Sequence, residues 1–158
     1  MAAYLEDALA TLIGGLTAVQ AMRPNIPIRP FKLAVSDNLN CGPAVIIAPQ
    51  GEEHENDLSG RGGAVTWTGF IRCVGEKWHD CRALAEAIRS NNTDPGTGLA
   101  GFAGTVSVPL PDGSSATFEL EIVTYDKKEF SFIFQTDASD EGDYVIDATL
   151  TCNYQETK

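Results

Sequence analysis

Phe118-Glu119-Leu120-Glu121-Ile122, Phe130-Ser131-Phe132-Ile133-Phe134 and Tyr144-Val145-Ile146-Asp147-Ala148-Thr149-Leu150-Thr151-Cys152 repeat an apolar residue at every second position. Successive side chains on a strand point to opposite faces, so this period of two predicts strands that share one apolar face of a sheet. None of the three runs sets a nucleophile beside a base or gathers metal ligands. The pattern makes packing surfaces, which points to assembly more than to chemistry.

Working outward, residues 105–110 and 116–125 flank Pro111-Asp112-Gly113-Ser114. Here Pro presets one turn dihedral and Gly tolerates the positive one, so the segment predicts a hairpin. Asp126-Lys127-Lys128-Glu129 reads as a second turn, and the acidic stretch 137–143 as the loop into a final strand over 144–154. Upstream, residues 64–74 alternate with Val65, Trp67 and Ile71 on one side and Thr66, Thr68, Phe70 and Arg72 on the other. Residues 44–48 are a short apolar run, rich in β-branched residues and closed by Pro49, which suits a strand buried on both faces. The polar, acidic segment 50–63 reads as an exposed loop or hairpin tip.

Two segments have helical spacing. Leu5, Leu9, Leu12, Ile13, Leu16 and Val19 recur at steps of three and four over residues 3–22, and Arg23-Pro24 ends the run. Gly14-Gly15 inside it costs about 1 kcal/mol per Gly relative to Ala and suits close approach of a neighbouring segment. Residues 78–89 place Trp78, Cys81, Leu84, Ala85 and Ile88 on one stripe. Residues 25–43, with three prolines, read as a long connection holding at most a short strand, and 91–104 as a Gly- and Asn-rich loop. The predicted order is helix, strand, strand, helix, then four strands. This is an α+β single domain over 1–158: a mainly antiparallel sheet of five to six strands with two helices packed on one face.

The 158 residues suffice for one core, and the formal net charge of -11 argues against a free-standing nucleic-acid binder, which needs clustered Lys and Arg. The first residues lack a basic, signal-like start, and the apolar stretches fall short of the ~20 residues that a bilayer requires. Expression and retention in the cytoplasm are expected. Cys41, Cys73, Cys81 and Cys152 are scattered without CxxC spacing and read as reduced core thiols.

Candidate chemistry is sparse. Cys73, His79 and Cys81 are the nearest approach to a zinc set, but His79 and Cys81, two apart on a helix, diverge by about 200°. The Gly-rich segment 91–101 precedes a strand and lacks the Lys-Ser/Thr of a phosphate loop. No serine sits in a nucleophile elbow. Neither acidic run fits a calcium loop. The expectation is therefore no catalytic residue, no cofactor and no metal. The residues expected at interfaces are Glu52, Glu53, Glu55 and Asp57 in one acidic loop and Asp137, Asp140, Glu141 and Asp143 in another. Arg61 and Arg72 are candidates to pair with a neighbour's carboxylates.

The N-terminal helix, the approach Gly42-Pro43-Ala44-Val45-Ile46-Ile47, the strand running into the Trp78 helix and the closing Asp143-Tyr144-Val145-Ile146-Asp147-Ala148 together resemble the tail terminator, or tail-completion, proteins of long-tailed bacteriophages. The resemblance implies a structural virion protein: a homo-oligomeric ring of six subunits that caps the tail tube and stops its polymerisation. It would join the head-side connector protein and let genomic DNA pass as an unbound polyanion, with location in the virion neck after assembly in the host cytoplasm. A ring of this kind closes through head-to-tail contacts, and a final strand at a sheet edge would extend a neighbour's sheet. The 50–63 and 91–104 loops depart from a lean version of that pattern. Two other readings stand beside it: another head-tail neck component, or a small ligand-binding or enzymatic α+β domain with a pocket between the Trp78 helix and the Phe130-Phe132-Phe134 ladder.

Overall fold

The computed structural model describes residues 4–22, 28–30, 44–54, 65–75, 77–89, 98–134 and 142–157. Its elements run α1 (Leu5–Gly14), α2 (Thr17–Met22), β1 (Ile28–Pro30), β2 (Ala44–His54), β3 (Val65–Gly75), α3 (Trp78–Arg89), β4 (Ala103–Pro109), β5 (Ser115–Phe134) and β6 (Gly142–Thr157). Among the described residues the strands form one six-stranded sheet in the order β1-β2-β3-β6-β5-β4, in which β1 and β2 pair in parallel and the other pairs are antiparallel. The architecture is α+β, as the patterning predicts.

The alternation places one apolar row on each strand. Val45 and Ile47 of β2 lie opposite Cys73 and Ile71 of β3. Those two in turn lie opposite Ile146 and Ala148 of β6, and Trp67 lies opposite Cys152. Ile122 and Leu120 of β5 continue the rows, and Phe118 faces Val106 of β4. These strand residues, apart from Ala148, join Leu5, Leu9 and Ile13 of α1, Leu16 and Val19, and Cys81, Leu84 and Ile88 of α3 in a single core cluster. Full burial of a large apolar side chain stabilises by about 1.5–3 kcal/mol, which makes this face the main source of stability. α1 rests against β4, β1 and β2, whereas α3 rests against β3 and β6.

The helix expected over 3–22 is two. Gly15 ends α1 by donating its backbone N–H to the carbonyls of Thr11 and Leu12, and the chain re-enters a helix at Thr17. Two adjacent glycines supply no side chain to carry the helix through, and a Cβ on Gly14 would stand 3.5 Å from the Ile28 side chain of β1. At the start of α1, Asp7 accepts the Tyr4 backbone N–H at 2.9 Å.

β2 does not stop at Pro49. It pairs with β3 as far as His54, with a register shift between Pro49 and Gly51, so Gln50 to His54 are strand residues where a loop was expected. Among the described residues β1 covers only Val45 to Ile47, and Pro49 sits at the bulge, a position that tolerates a missing N–H.

Asp126-Lys127-Lys128-Glu129 is not a turn. β5 runs unbroken through it against β6, with register shifts between Ile122 and Thr124 and between Asp126 and Lys128. The run holds no Gly, Pro or Asn to supply turn dihedrals, and bulges absorb the extra residues. The last third therefore forms two long strands from the three runs, and three strands follow α3 where four were expected.

The 111–114 hairpin forms as predicted. Gly113 has φ 88°, Leu110 accepts its N–H, and Ser114 donates its backbone N–H to Asp112. The Ser114 hydroxyl, which also donates to Asp112, and then this backbone bond hold the Asp112 carboxyl below the usual carboxylate range.

Candidate assembly surface

The second face of the sheet differs from the first in chemistry and along its length. Near the start of β2, Ile46, Val74 and Val145 form a small buried cluster. Beside it Arg72 makes a two-pronged bond to Asp147, 2.8 Å from Nε to Oδ1 and 2.9 Å from Nη2 to Oδ2, with its guanidinium over the Phe70 ring. The hydrogen bond to Asp147 pushes the Arg72 pKa above its ordinary value.

Farther along, the face is made of hydroxyls, amides and carboxylates. One row crosses five strands as Glu53, Thr66, Asn153, Glu121 and Ala103. Thr66 donates its hydroxyl to Asn153 Oδ1 at 2.9 Å. Thr68, Thr151 and Thr124 form the next row; Gln155, Glu119 and Thr105 form another. The charged residues in these rows are Glu53, Glu119 and Glu121, all exposed. Among the described residues, no Lys or Arg enters them. β-Branched Thr suits the pleat while its hydroxyl remains available to water, which is why polar rows can form regular strands.

The edges are the second element of the surface. Among the described residues, β2 beyond Ile47 pairs with β3 alone, and β5 beyond Glu121 pairs with β6, its Ile122 N–H also bonding the Phe102 carbonyl. β6 lies between β3 and β5. It lies inside the sheet, so the extension of a neighbour's sheet considered for a final strand at an edge is not open to it.

The residues expected at interfaces fall in different places. Glu53 lies on the hydroxyl face. Glu52 lies on the other face, where its carboxylate accepts the Tyr154 hydroxyl at 2.9 Å and stands 3.6 Å from His54 Nε2. Burial first, then the bond to Glu52 and the nearby carboxylates of Glu6 and Glu156, push the Tyr154 phenol well above its ordinary pKa. Next to it, Trp67 donates its indole N–H to Glu6 at 3.3 Å. Arg72 pairs with Asp147 of its own chain and not with a neighbour. Glu55, Asp57, Arg61, Asp137, Asp140 and Glu141 lie outside the described residues, and Asp143 is placed by its backbone in β6, opposite Ile133.

The hydroxyl rows were not among the residues expected at interfaces. Their signal was the polar half of the same alternation that revealed the apolar face.

Cys73, His79 and Cys81 do not form a ligand set. Cys81 is buried, with its thiol 3.3 Å from the Cys73 carbonyl, while His79 is exposed on α3. Among the described residues no group of three His, Cys, Asp or Glu is placed to hold a metal ion, and no helix is long and apolar enough to cross a membrane. Cys73, Cys81 and Cys152 are buried; burial pushes the Cys152 thiol up to about 12. Trp67 is fully buried, and Trp78 packs edge-on to Tyr144 at 5.6 Å.

No family model and no curated protein matches the sequence. Among solved structures, the chain is similar to a chain of the virion of a native gene transfer agent particle, with a TM-score of 0.55 and 13% identity over 94% of each chain. At that identity the likeness is one of fold.

Proposed function

We propose that the protein is a non-enzymatic structural component of a phage-like virion, a ring that caps the tail tube, stops its growth and joins it to the head-side connector. The observation that carries this reading is the fold shared with the gene transfer agent virion chain over nearly the whole of both chains. The hydroxyl face supports it. A channel that passes DNA must not retain it; the Thr, Asn, Gln and Glu rows hold no Lys or Arg among the described residues, and Arg72 on the same face is already paired with Asp147. In this reading that face lines the channel, and the core face with its helices lies outside it.

The partners are further copies of the chain, six by resemblance to tail terminators, together with the tube protein and the connector protein. DNA is a passing polyanion. Negative-stain images of the purified protein mixed with tail tubes test the proposal. Rings seated on tube ends are expected; a permanent monomer that leaves the ends bare contradicts it. The virion fold likeness favours a different neck component equally, and binding to the portal-side ring with no affinity for tube ends would select that version.

A further inference from the structure

The turn between β4 and β5 holds the one Asp-Gly pair of the chain, Asp112-Gly113, and the sequence has no Asn-Gly. An Asp followed by Gly is a peptide link open to isomerisation. The Gly nitrogen attacks the Asp side-chain carbon Cγ, a C–N bond forms, and the OH of the carboxyl departs as water with the proton from nitrogen. Water then opens the cyclic imide at either carbonyl and returns a proton to the nitrogen. Opening at the main-chain carbonyl leaves the chain running through Cγ, an isoaspartate with one more backbone atom and no change in mass. Glycine favours the attack because no side chain shields its nitrogen. Gly113 is exposed with φ 88°, and a Cβ built on it would meet nothing within 4 Å.

Each requirement of that step meets an opposing bond in this turn. Closure needs a protonated carboxyl, since only then can an oxygen depart as water. The Ser114 hydroxyl, and then the Ser114 backbone N–H at 2.9 Å from Oδ1, favour the ionised form and hold the Asp112 carboxyl below its ordinary range. Closure also needs the Gly113 nitrogen turned toward Cγ, yet its N–H is donated to the Leu110 carbonyl at 3.1 Å. Leu110 donates its own N–H to the Ser114 carbonyl at 2.8 Å, which ties the turn shut, and strand pairing starts directly behind it at Pro109 and Ser115. We propose that Asp112-Gly113 is a backbone-isomerisation site and that Ser114 holds it in check, by pinning the Asp112 side chain to the residue beyond Gly113. The check is local to one hairpin, so it acts whether or not copies of the chain assemble. Its failure adds an atom to the turn and shifts the β4–β5 register that starts there, and among the described residues β5 is the strand that pairs with β4.

Rates of isoaspartate formation at residue 112 test this, read by peptide mapping and by labelling with a methyltransferase specific for isoaspartate. The folded parent should isomerise several-fold more slowly than the same chain unfolded in denaturant, a comparison that needs no variant. Ser114→Ala, at an exposed position, removes the hydroxyl bond and should raise the folded rate several-fold, with circular dichroism confirming the fold. In denaturant the two chains should isomerise equally fast. Ser114→Thr keeps a hydroxyl and should restore the slow rate. Asp112→Glu should abolish the signal, because the longer side chain must close a larger and slower-forming ring. Equal rates for the folded parent and folded Ser114→Ala overturn the role of Ser114. A folded parent as fast as the unfolded chain overturns the check, and an unfolded chain with no isoaspartate at residue 112 overturns the site.

Discussion

The two faces of this sheet are built from the same strands and the same alternation, yet they do opposite things. Phe118, Leu120 and Ile122 alternate with Thr117, Glu119 and Glu121 on a single stretch of β5; the first set is buried in the core and the second set stands on the hydroxyl face. Removing apolar surface from water supplies most of the folding free energy, so the first face fixes the fold. The second is free to be chosen for what it touches. Substitutions on the core face should therefore cost stability, and those on the hydroxyl face should cost assembly or DNA passage.

The largest expected effect is Phe118→Ala. Emptying a site that is 1% exposed should destabilise the chain by about 3–5 kcal/mol in denaturant titration; a loss below ~1 kcal/mol would mean that this end of the core is loosely packed. Gly69→Ala should follow at about 1–3 kcal/mol, because an added Cβ runs into the Trp67 ring and the Ala48 carbonyl in the middle of β3.

Cys152 gives an intermediate effect with a defined pH sign. Its thiol, pushed from the ordinary 9.0 to about 12 by burial, stays protonated in the folded chain while that of the unfolded chain ionises. Its contribution is thus complete below pH 9 and lost as pH rises toward 12, by roughly 1 kcal/mol at pH 10. Unfolding measured at pH 8 and pH 10 should show the parent losing that much more than Cys152→Ala, whereas equal losses would show a thiol that titrates freely. Asp147→Ala, which strands the partly exposed Arg72 guanidinium, should cost ~1 kcal/mol or less. Smallest of all for folding is Thr149→Lys on the exposed hydroxyl face, within about 0.5 kcal/mol. In the proposed channel this lysine should nonetheless slow DNA passage, measurable as lost infectivity of particles that assemble normally.

The same contrast explains how much could be read from the sequence. The apolar half of each alternation announced β3, β5, β6 and the 111–114 hairpin, and the three- and four-residue spacing announced α3 with its bounds intact. What misled was local chemistry overruled by pairing. Asp126 to Glu129 looks like a solvated turn, but β6 is long enough to hold it extended, and Pro49 looks like a stop, but a bulge there lets β2 continue. Edge and centre were illegible because strand order is set by long-range pairing, which no local pattern encodes; hence an edge place for β6 could be considered from the sequence and only the fold sets it between β3 and β5. Glu52 shows the matching limit for the site: its charge was visible, whereas its bond to Tyr154 depends on a β2 to β3 to β6 register that only the fold reveals.

The account stands or falls on whether this chain assembles with copies of itself. Light scattering of the purified protein with and without tail tubes measures that directly. The account predicts a closed particle of several 16.9 kDa chains, formed alone or on the tube end. A species that keeps the mass of one chain under both conditions and leaves the tubes unchanged would contradict it.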